Sequence, residues 1–224
     1  MFVNLVLFYA PKKMCSFADM KMFVLHRPNG SENNNEGFFS FKDMEGCAFG
    51  VLPDSALLRE GWPMFVPDFA EPCSVSLHLA VRVGRLGRAI SPRFAHRYHA
   101  EPTLAVVFTA EKLLAEARLS VAPWGAAMGF EGSVAEGAAW PIDVQPLEEH
   151  TCELRLNDKI VAEGTTQGWK EHVHSALAHI SRFHTLRQGD RLLCGALTAA
   201  LPVQPGTRIE GWLDGGRVLR LDVK

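Results

Sequence analysis

Histidines are the residues of this chain whose type and spacing could hold a metal ion. There are nine of them. His96 and His99 are three residues apart, and His172 and His179 lie seven apart on one predicted helix, so each pair could chelate a cation. No Glu or Cys completes either pair at metal-site spacing. Surface histidines on helices are the alternative, and the sequence leaves it open.

Two carboxylates could act as general acids. Glu131 and Glu136 lie in a segment rich in glycine and alanine, 125–137. An apolar cleft would raise the pKa of either carboxyl and would prepare it for proton transfer. Neither has an evident partner, and carboxylates beside glycine are more often solvated loop residues.

The segment that would position this chemistry runs from residue 73 to residue 112. Its first part alternates with the period of a strand, which predicts one face directed to a core and one polar face. The apolar positions are Val75, Leu77, Leu79, Val81 and Val83, and the polar positions are Ser74, Ser76, His78 and Arg82. A Ser-Pro helix start at Ser91 and a second apolar run at 104–110 complete a predicted strand, short helix and strand.

The other patterns predict a strand-rich α+β protein with two or three helices. Residues 111–119 and Trp169–Phe183 have helical periodicity, with Leu119 predicted on the inner face of the first helix and His172 on an outer face of the second. Asn157-Asp158 predicts a hairpin turn, and the prolines of 53–72 predict an irregular crossing. We expect an exposed loop at 28–37 and a short strand at 38–41.

Composition narrows the class of protein. The chain has 224 residues, 47% of them hydrophobic and 21% charged, with a formal net charge of -2. We therefore expect one domain. No basic stripe favours nucleic acid or an anionic membrane as a partner. Five cysteines without a Cys-x-x-Cys motif are typical of reduced thiols in a cytoplasmic protein.

Several short segments, in this order, resemble the fumarylacetoacetate hydrolase family. They are 53–58 (PDSALL), 65–69 (FVPDF), 79–87 (LAVRVGRLG), 94–98 (FAHRY), 108–110 (FTA), 123–124 (PW), 130–133 (FEGS) and 185–190 (TLRQGD). The resemblance implies a mixed β-sandwich or β-roll with a few short helices. It starts at residue 20, so we expect a single domain over 20–224 and, before it, a disordered or loosely packed extension, 1–19. It also implies a homodimer or a pairing with an active paralogue.

The same resemblance implies a divalent cation, magnesium or manganese, held by a Glu-x-Glu pair on the first strand and an Asp on the second. The matching positions here are Ser76, His78 and Val107. A hydroxyl, an imidazole and an isopropyl group do not replace three anionic oxygens for a hard cation. We therefore predict no family-type metal site and no cofactor.

Other working parts of the family are also replaced. The lysine and aspartate of its Lys-x-Phe-Asp segment correspond to Met128 and Glu131, and its Thr-Gly-Thr-Pro loop corresponds to 194–197 (CGAL). Its Gly-Arg-Asn-Tyr segment corresponds to 26–29 (HRPN), and no acid-base pair can be placed in the lid that follows. The predicted vestigial pocket comprises Ser76, His78, Val107, Met128, Glu131, Cys194 and Ala196.

Three hypotheses about function follow. The chain is a catalytically inactive family member that serves as a structural or regulatory subunit, or it binds a keto acid in the old cleft without turnover. The third alternative is a divergent hydrolase, isomerase or decarboxylase of acylpyruvate-type substrates, with a site rebuilt around His78, Glu131 and Glu136.

Overall fold

A computed structural model describes residues 20–26, 48–120, 122–140 and 146–224. Eleven strands and three α-helices follow one another in these ranges. The strands are β1 (Met22–His26), β2 (Ala48–Leu52), β3 (Cys73–Val83), β4 (His99–Ala110), β5 (Val134–Glu136), β6 (Thr151–Leu156), β7 (Lys159–Thr165), β8 (Arg191–Ala196), β9 (Leu201–Val203), β10 (Arg208–Leu213) and β11 (Gly216–Asp222). The helices are α1 (Glu111–Ser120), α2 (Gly125–Met128) and α3 (Trp169–Phe183).

The strands form two sheets. The larger has seven strands in the order β2-β1-β8-β3-β4-β5, with β9 also paired to β3, and the smaller has the order β11-β10-β6-β7. β3 and β4 form the long antiparallel centre of the larger sheet, with Ser76 opposite Val107 and His78 opposite Ala105. The strand-rich α+β architecture predicted from the sequence is confirmed.

Both faces of the central strand pair are buried. Leu77, Val106 and Phe108 belong to a large core that also includes residues of the smaller sheet and of α3. Ala80, Ala105 and Val107 belong to a second, smaller apolar cluster on the opposite face. The period-two pattern of β3 correctly predicted which residues share a face, but the polar face is not solvated, since Ser74, Ser76 and His78 are each at most 6% exposed.

Most of the predicted elements are present. The segment 73–112 forms β3, a 3-10 helix at Pro92–Arg97 and β4. The hairpin turns at Asn157 and Asp158, whose positive φ angles of 51° and 66° suit a two-residue turn. Residues 53–72 contain only short 3-10 helices and isolated bridges.

The predicted faces of Leu119 and His172 were wrong. Leu119 is 87% exposed rather than packed, and His172 is buried rather than on an outer face. His172 is buried where α3 packs against β8, and its Nε2 donates a hydrogen bond to the backbone carbonyl of Cys194 there. The predicted extension 1–19, loop 28–37 and strand 38–41 lie outside the described residues.

Candidate functional site

The family metal positions converge on one face of the larger sheet, which we call the site face. Ser76 and His78 are two residues apart on β3, so their side chains point to the same side, and Val107 lies directly opposite Ser76 on β4. In the sheet register His78 pairs with Ala105 on β4, and Ala105 pairs in turn with Glu136 on β5. On its other side His78 pairs with Ala196 on β8. We call these four residues the row through His78. Register alone therefore places these positions together.

His78 and Ser76 bond to each other. Ser76 Oγ lies 2.9 Å from His78 Nε2, and both residues are buried. Burial lowers the pKa of His78 to about 3, so its imidazole is neutral at pH 7. His78 Nδ1 is also buried and has no hydrogen-bond partner among the described residues. The pair is thus an internal hydrogen bond with one unsatisfied nitrogen.

Apolar side chains enclose this face. Val107 and Ala105 are 0% exposed and Met128 is 7% exposed. They pack in the smaller cluster, whose members are Met22, Val24, Leu52, Ala56, Ala80, Ala105, Val107, Met128, Val134 and Leu193. Met128 comes from α2 and stands where the resemblance implies a lysine. The environment around Ser76 and His78 is therefore mainly hydrocarbon.

Glu136 is the carboxylate closest in register to His78, and it is already engaged. Its Oε2 accepts a 2.7 Å hydrogen bond from Arg191 Nε and lies 3.7 Å from an Arg82 guanidinium nitrogen. The side chains of Glu136 and Arg191 are only 7% and 9% exposed. The expectation of a solvated loop carboxylate was wrong for Glu136, because β5 adds to the edge of the sheet and buries it.

The other residues of the predicted pocket lie in different places. Ala196 lies beside His78 in the sheet register. Glu131 is exposed in a turn. Cys194 is buried in the large core on the opposite face, where burial raises the pKa of its thiol and keeps it protonated. The predicted pocket is therefore drawn from both faces of the sheet and from its surface.

The two histidine pairs suggested by spacing do not form. His172 bonds to the Cys194 carbonyl, whereas His179 packs against the rings of Phe49 and Phe183. His99 instead contacts a histidine on a different element: its Nε2 lies 3.0 Å from His174 Nε2. His96 stands next to this pair, with its ring centroid 6.3 Å from that of His174. Spacing along the chain could not predict this pair, because 75 residues separate its members.

The donors on the site face do not fit magnesium or manganese. A hard dication requires several anionic oxygens, but the three family metal positions offer only the Ser76 hydroxyl, which is already bonded to an imidazole. The carboxylate of Glu136 is neutralised by two guanidinium groups. Across the ranges that the structure describes, no three His, Cys, Asp or Glu side chains are arranged to hold a metal ion together.

Comparison with known proteins assigns the chain to a family. The family model for the fumarylacetoacetate (FAA) hydrolase C-terminal region matches residues 32–224, and the chain belongs to that family. Oxaloacetate tautomerase FAHD1, mitochondrial, of Mus musculus is 28% identical over 176 residues, which cover 78% of this chain and 79% of the relative. An uncharacterized protein of Pyrococcus horikoshii is 29% identical over 216 residues, covering 95% and 88%.

Solved structures confirm the fold. Fumarylpyruvate hydrolase from Pseudomonas aeruginosa, in complex with Mn²⁺ and pyruvate, superposes with a TM-score of 0.75 at 21% identity, covering 91% of this chain and 88% of that one. A yeast fumarylacetoacetate hydrolase family protein gives a TM-score of 0.73 at 18% identity, covering 91% and 92%. Among the helices in the described ranges, none has the length and apolar character needed to span a bilayer.

Proposed function

We propose that this chain is a fumarylacetoacetate hydrolase family protein without metal-dependent catalysis, which serves as a structural or regulatory subunit. One observation carries the proposal: Ser76 and His78 bond to each other inside an apolar cluster, at the positions where the family resemblance implies carboxylate ligands. Removing water from a dication at such a face would cost several kcal/mol or more without anionic ligands in compensation.

Proton transfer without a metal is also poorly supported at this face. His78 has a pKa of about 3, far from the value near neutrality that suits a general base or acid at pH 7. Glu136 is held in an ion pair with Arg191, and Glu131 is exposed to solvent. The residues considered for a rebuilt site are thus a neutral buried imidazole, a carboxylate held in an ion pair and a carboxylate exposed to solvent.

The subunit would work as a homodimer or beside an active paralogue in the cytoplasm. Neither assembly needs an open cleft in this chain, and buried hydrocarbon on the site face stabilises the sheet that would be shared. A keto acid held without turnover is a further use of the same fold, although the apolar packing around Met128 leaves little polar surface to recognise it.

A divergent tautomerase or hydrolase is the second candidate, and it is favoured by the relatives. The mouse relative is named for oxaloacetate tautomerisation, and the Pseudomonas neighbour for fumarylpyruvate hydrolysis. In this candidate the chain would convert an oxaloacetate-like or acylpyruvate-type keto acid at the site face.

Enol-to-keto conversion of oxaloacetate tests the two candidates directly. The purified chain is assayed with Mg²⁺, with Mn²⁺ and with EDTA, beside the mouse relative as a positive control. We expect rates equal to buffer and a melting temperature that neither metal shifts, because a ligand stabilises only the state that binds it. A saturable, Mn²⁺-dependent rate that Ser76→Ala/His78→Leu abolishes would establish the enzyme instead.

A further inference from the structure

Residues 73–100 carry a charge of opposite sign to the rest of the chain. They include five arginines and no lysine, aspartate or glutamate. This segment therefore has a formal charge of +5 and the remaining residues have -7, which together give the -2 of the whole chain. A concentration of one sign of charge on a protein attracts partners of the other sign.

Four of these arginines are exposed on the connection between β3 and β4. The same connection exposes two apolar side chains, Leu86 at 67% and Phe94 at 42%. Arginine and aromatic residues are the types that protein interfaces favour. We call the following six residues the arginine surface: Arg85, Leu86, Arg88, Arg93, Phe94 and Arg97.

Aromatic rings support three of the guanidinium groups. The guanidinium carbons of Arg93 and Arg97 lie 5.5 Å and 5.0 Å from the centroid of the Phe94 ring. That of Arg85 lies 6.0 Å from the centroid of the Tyr98 ring. A guanidinium above a ring keeps its planar N–H donors free for an anion, while the ring restricts its motion. The arginines therefore lose less conformational entropy when they bind.

Backbone hydrogen bonds hold the connection in place. Ile90 N donates to Ser181 Oγ and Ala89 N to the Ser181 carbonyl, both at 2.8 Å, which ties the connection to α3. Gly87 N donates to the Leu186 carbonyl at 3.0 Å. The arginine surface is thus displayed by a fixed segment, and a preorganised surface costs less free energy to bind.

The four arginines have no carboxylate partner among the described residues. Glu101, the first acid after the segment, is bonded to Arg82 at 2.8 Å. The other arginines found in ion pairs across the described ranges belong to different elements: Arg155, Arg191, Arg208 and Arg217. The guanidinium groups of the arginine surface are therefore available to carboxylates from outside the chain.

Neighbouring charges on α3 extend the positive region. Burial lowers the pKa of His174, and the charges of His96 and Lys170 lower it further. Glu171 acts on His174 in the opposite direction. This single acid does not cancel the cations that surround it.

We propose that the arginine surface binds a short acidic segment of a partner protein. The planar guanidinium fork matches the two oxygens of a carboxylate, so each exposed arginine can bond to one Asp or Glu of the partner. Leu86 and Phe94 offer contact area to apolar side chains that stand between those acids.

The charge of the rest of the chain favours a short segment over a long polyanion. Duplex DNA carries one negative charge per about 1.7 Å of its axis, and an anionic membrane is a continuous surface. Either would extend beyond residues 85–97 and meet a chain whose remaining residues carry -7. A short acidic segment confines its charge to the arginine surface.

The proposal goes beyond the proposed function and does not depend on it. The arginine surface contains none of the residues of the site face, so an acidic partner could bind whether or not the site face is catalytic.

Fluorescence anisotropy of a labelled peptide, made of glutamates around one leucine, tests the proposal. The comparison peptide has glutamines in place of the glutamates. We expect saturable binding of the acidic peptide alone, and weaker binding as ionic strength rises above about 0.15 M, where charges are screened over about 8 Å. Arg93→Gln/Arg97→Gln should weaken binding about 10-fold, since each exposed ion pair is worth up to about five-fold.

Arg59→Gln/Arg118→Gln is the matched control. It removes the same charge from two exposed arginines outside the arginine surface, and it should leave the affinity unchanged. Arg93→Glu/Arg97→Glu should weaken binding more than the glutamine variant does, because it adds repulsion. All these side chains are exposed, so equal melting temperatures should show that each variant is folded.

Two sets of results would overturn the proposal. The first is no saturable binding of the acidic peptide to the wild type, or an equal loss in Arg93→Gln/Arg97→Gln and in the control variant. The second is tighter binding of a single-stranded oligonucleotide, or of vesicles that contain phosphatidylserine, than of the acidic peptide at the same ionic strength. That result would assign the arginine surface to nucleic acid or to a membrane instead.

Discussion

His78 and His99 lie on paired strands of one sheet, yet the surroundings give them different capacities. Both have lowered pKa values, about 3 for His78 and about 4 for His99, and each forms one hydrogen bond to a side chain. His78 faces a sealed hydrocarbon cluster, whereas His99 faces two further histidines at the surface. The comparison teaches that two imidazoles with similarly lowered pKa values can differ in solvent access and in the groups that surround them.

Lowering the pH should produce the largest change in the free energy of unfolding, and both His78 and His99 should contribute to it. His78, His99 and His172 have folded-state pKa values of about 3, 4 and 4, against an ordinary value of 6.5. Above pH 6.5 neither state binds these protons. Below it, the unfolded chain binds protons that the folded chain excludes, so the free energy of unfolding falls as pH falls from 6.5 towards 4.

As pH falls to about 5, the contribution of each such histidine approaches about 1.4 kcal/mol per pH unit, or about 4 kcal/mol per unit for the three together. Urea unfolding between pH 7 and pH 5 measures this slope. Ser76→Ala/His78→Leu removes one of the three histidines, so the number of protons taken up on unfolding should fall by about one and the slope should be shallower. The exposed substitution Ile160→Thr should leave the slope as in the wild type. If the double variant has the wild-type slope, His78 is not a buried neutral base.

The ion pair on the site face should give the next largest effect. Glu136→Leu removes the carboxylate that neutralises Arg191 and Arg82, which leaves two guanidinium groups beside an apolar face. We expect a loss of about 3 kcal/mol in the free energy of unfolding. Chemical denaturation measures it.

The companion variant Glu136→Leu/Arg191→Met removes both buried partners and should recover most of that loss. Arg208, whose contact with Asp222 is exposed, provides the control: Asp222→Asn should change stability by less than about 1 kcal/mol. If the single and the double variant are equally destabilised, the loss in Glu136→Leu does not come from leaving the Arg191 charge buried without a partner.

The smallest effect should come from the Ser76–His78 hydrogen bond. Ser76→Ala leaves a second buried nitrogen of His78 without a partner, and we expect it to cost about 1–2 kcal/mol. Ser76→Ala/His78→Leu removes both polar groups and should be less destabilised than the single variant. If the double variant is less stable than Ser76→Ala, the polar pair stabilises this face more than hydrocarbon would.

The sequence alone determined much of this protein. The alternation along β3 placed Val75 and Val83 on one face and Ser76 and His78 on the other. The helical period of Trp169–Phe183 predicted α3. Short segments in the right order indicated the family, which the comparison confirmed. These features are local, since side-chain periodicity and turn chemistry depend on neighbours along the chain.

Only the tertiary structure decided what those side chains touch. β5 and α2 cover the site face and bury Glu136 against Arg191, α3 brings His174 to His99, and β8 accepts the hydrogen bond of His172. The polar face of β3 also became a second core. Burial and partner choice depend on residues far apart in the chain, and a single sequence does not specify which of them will meet.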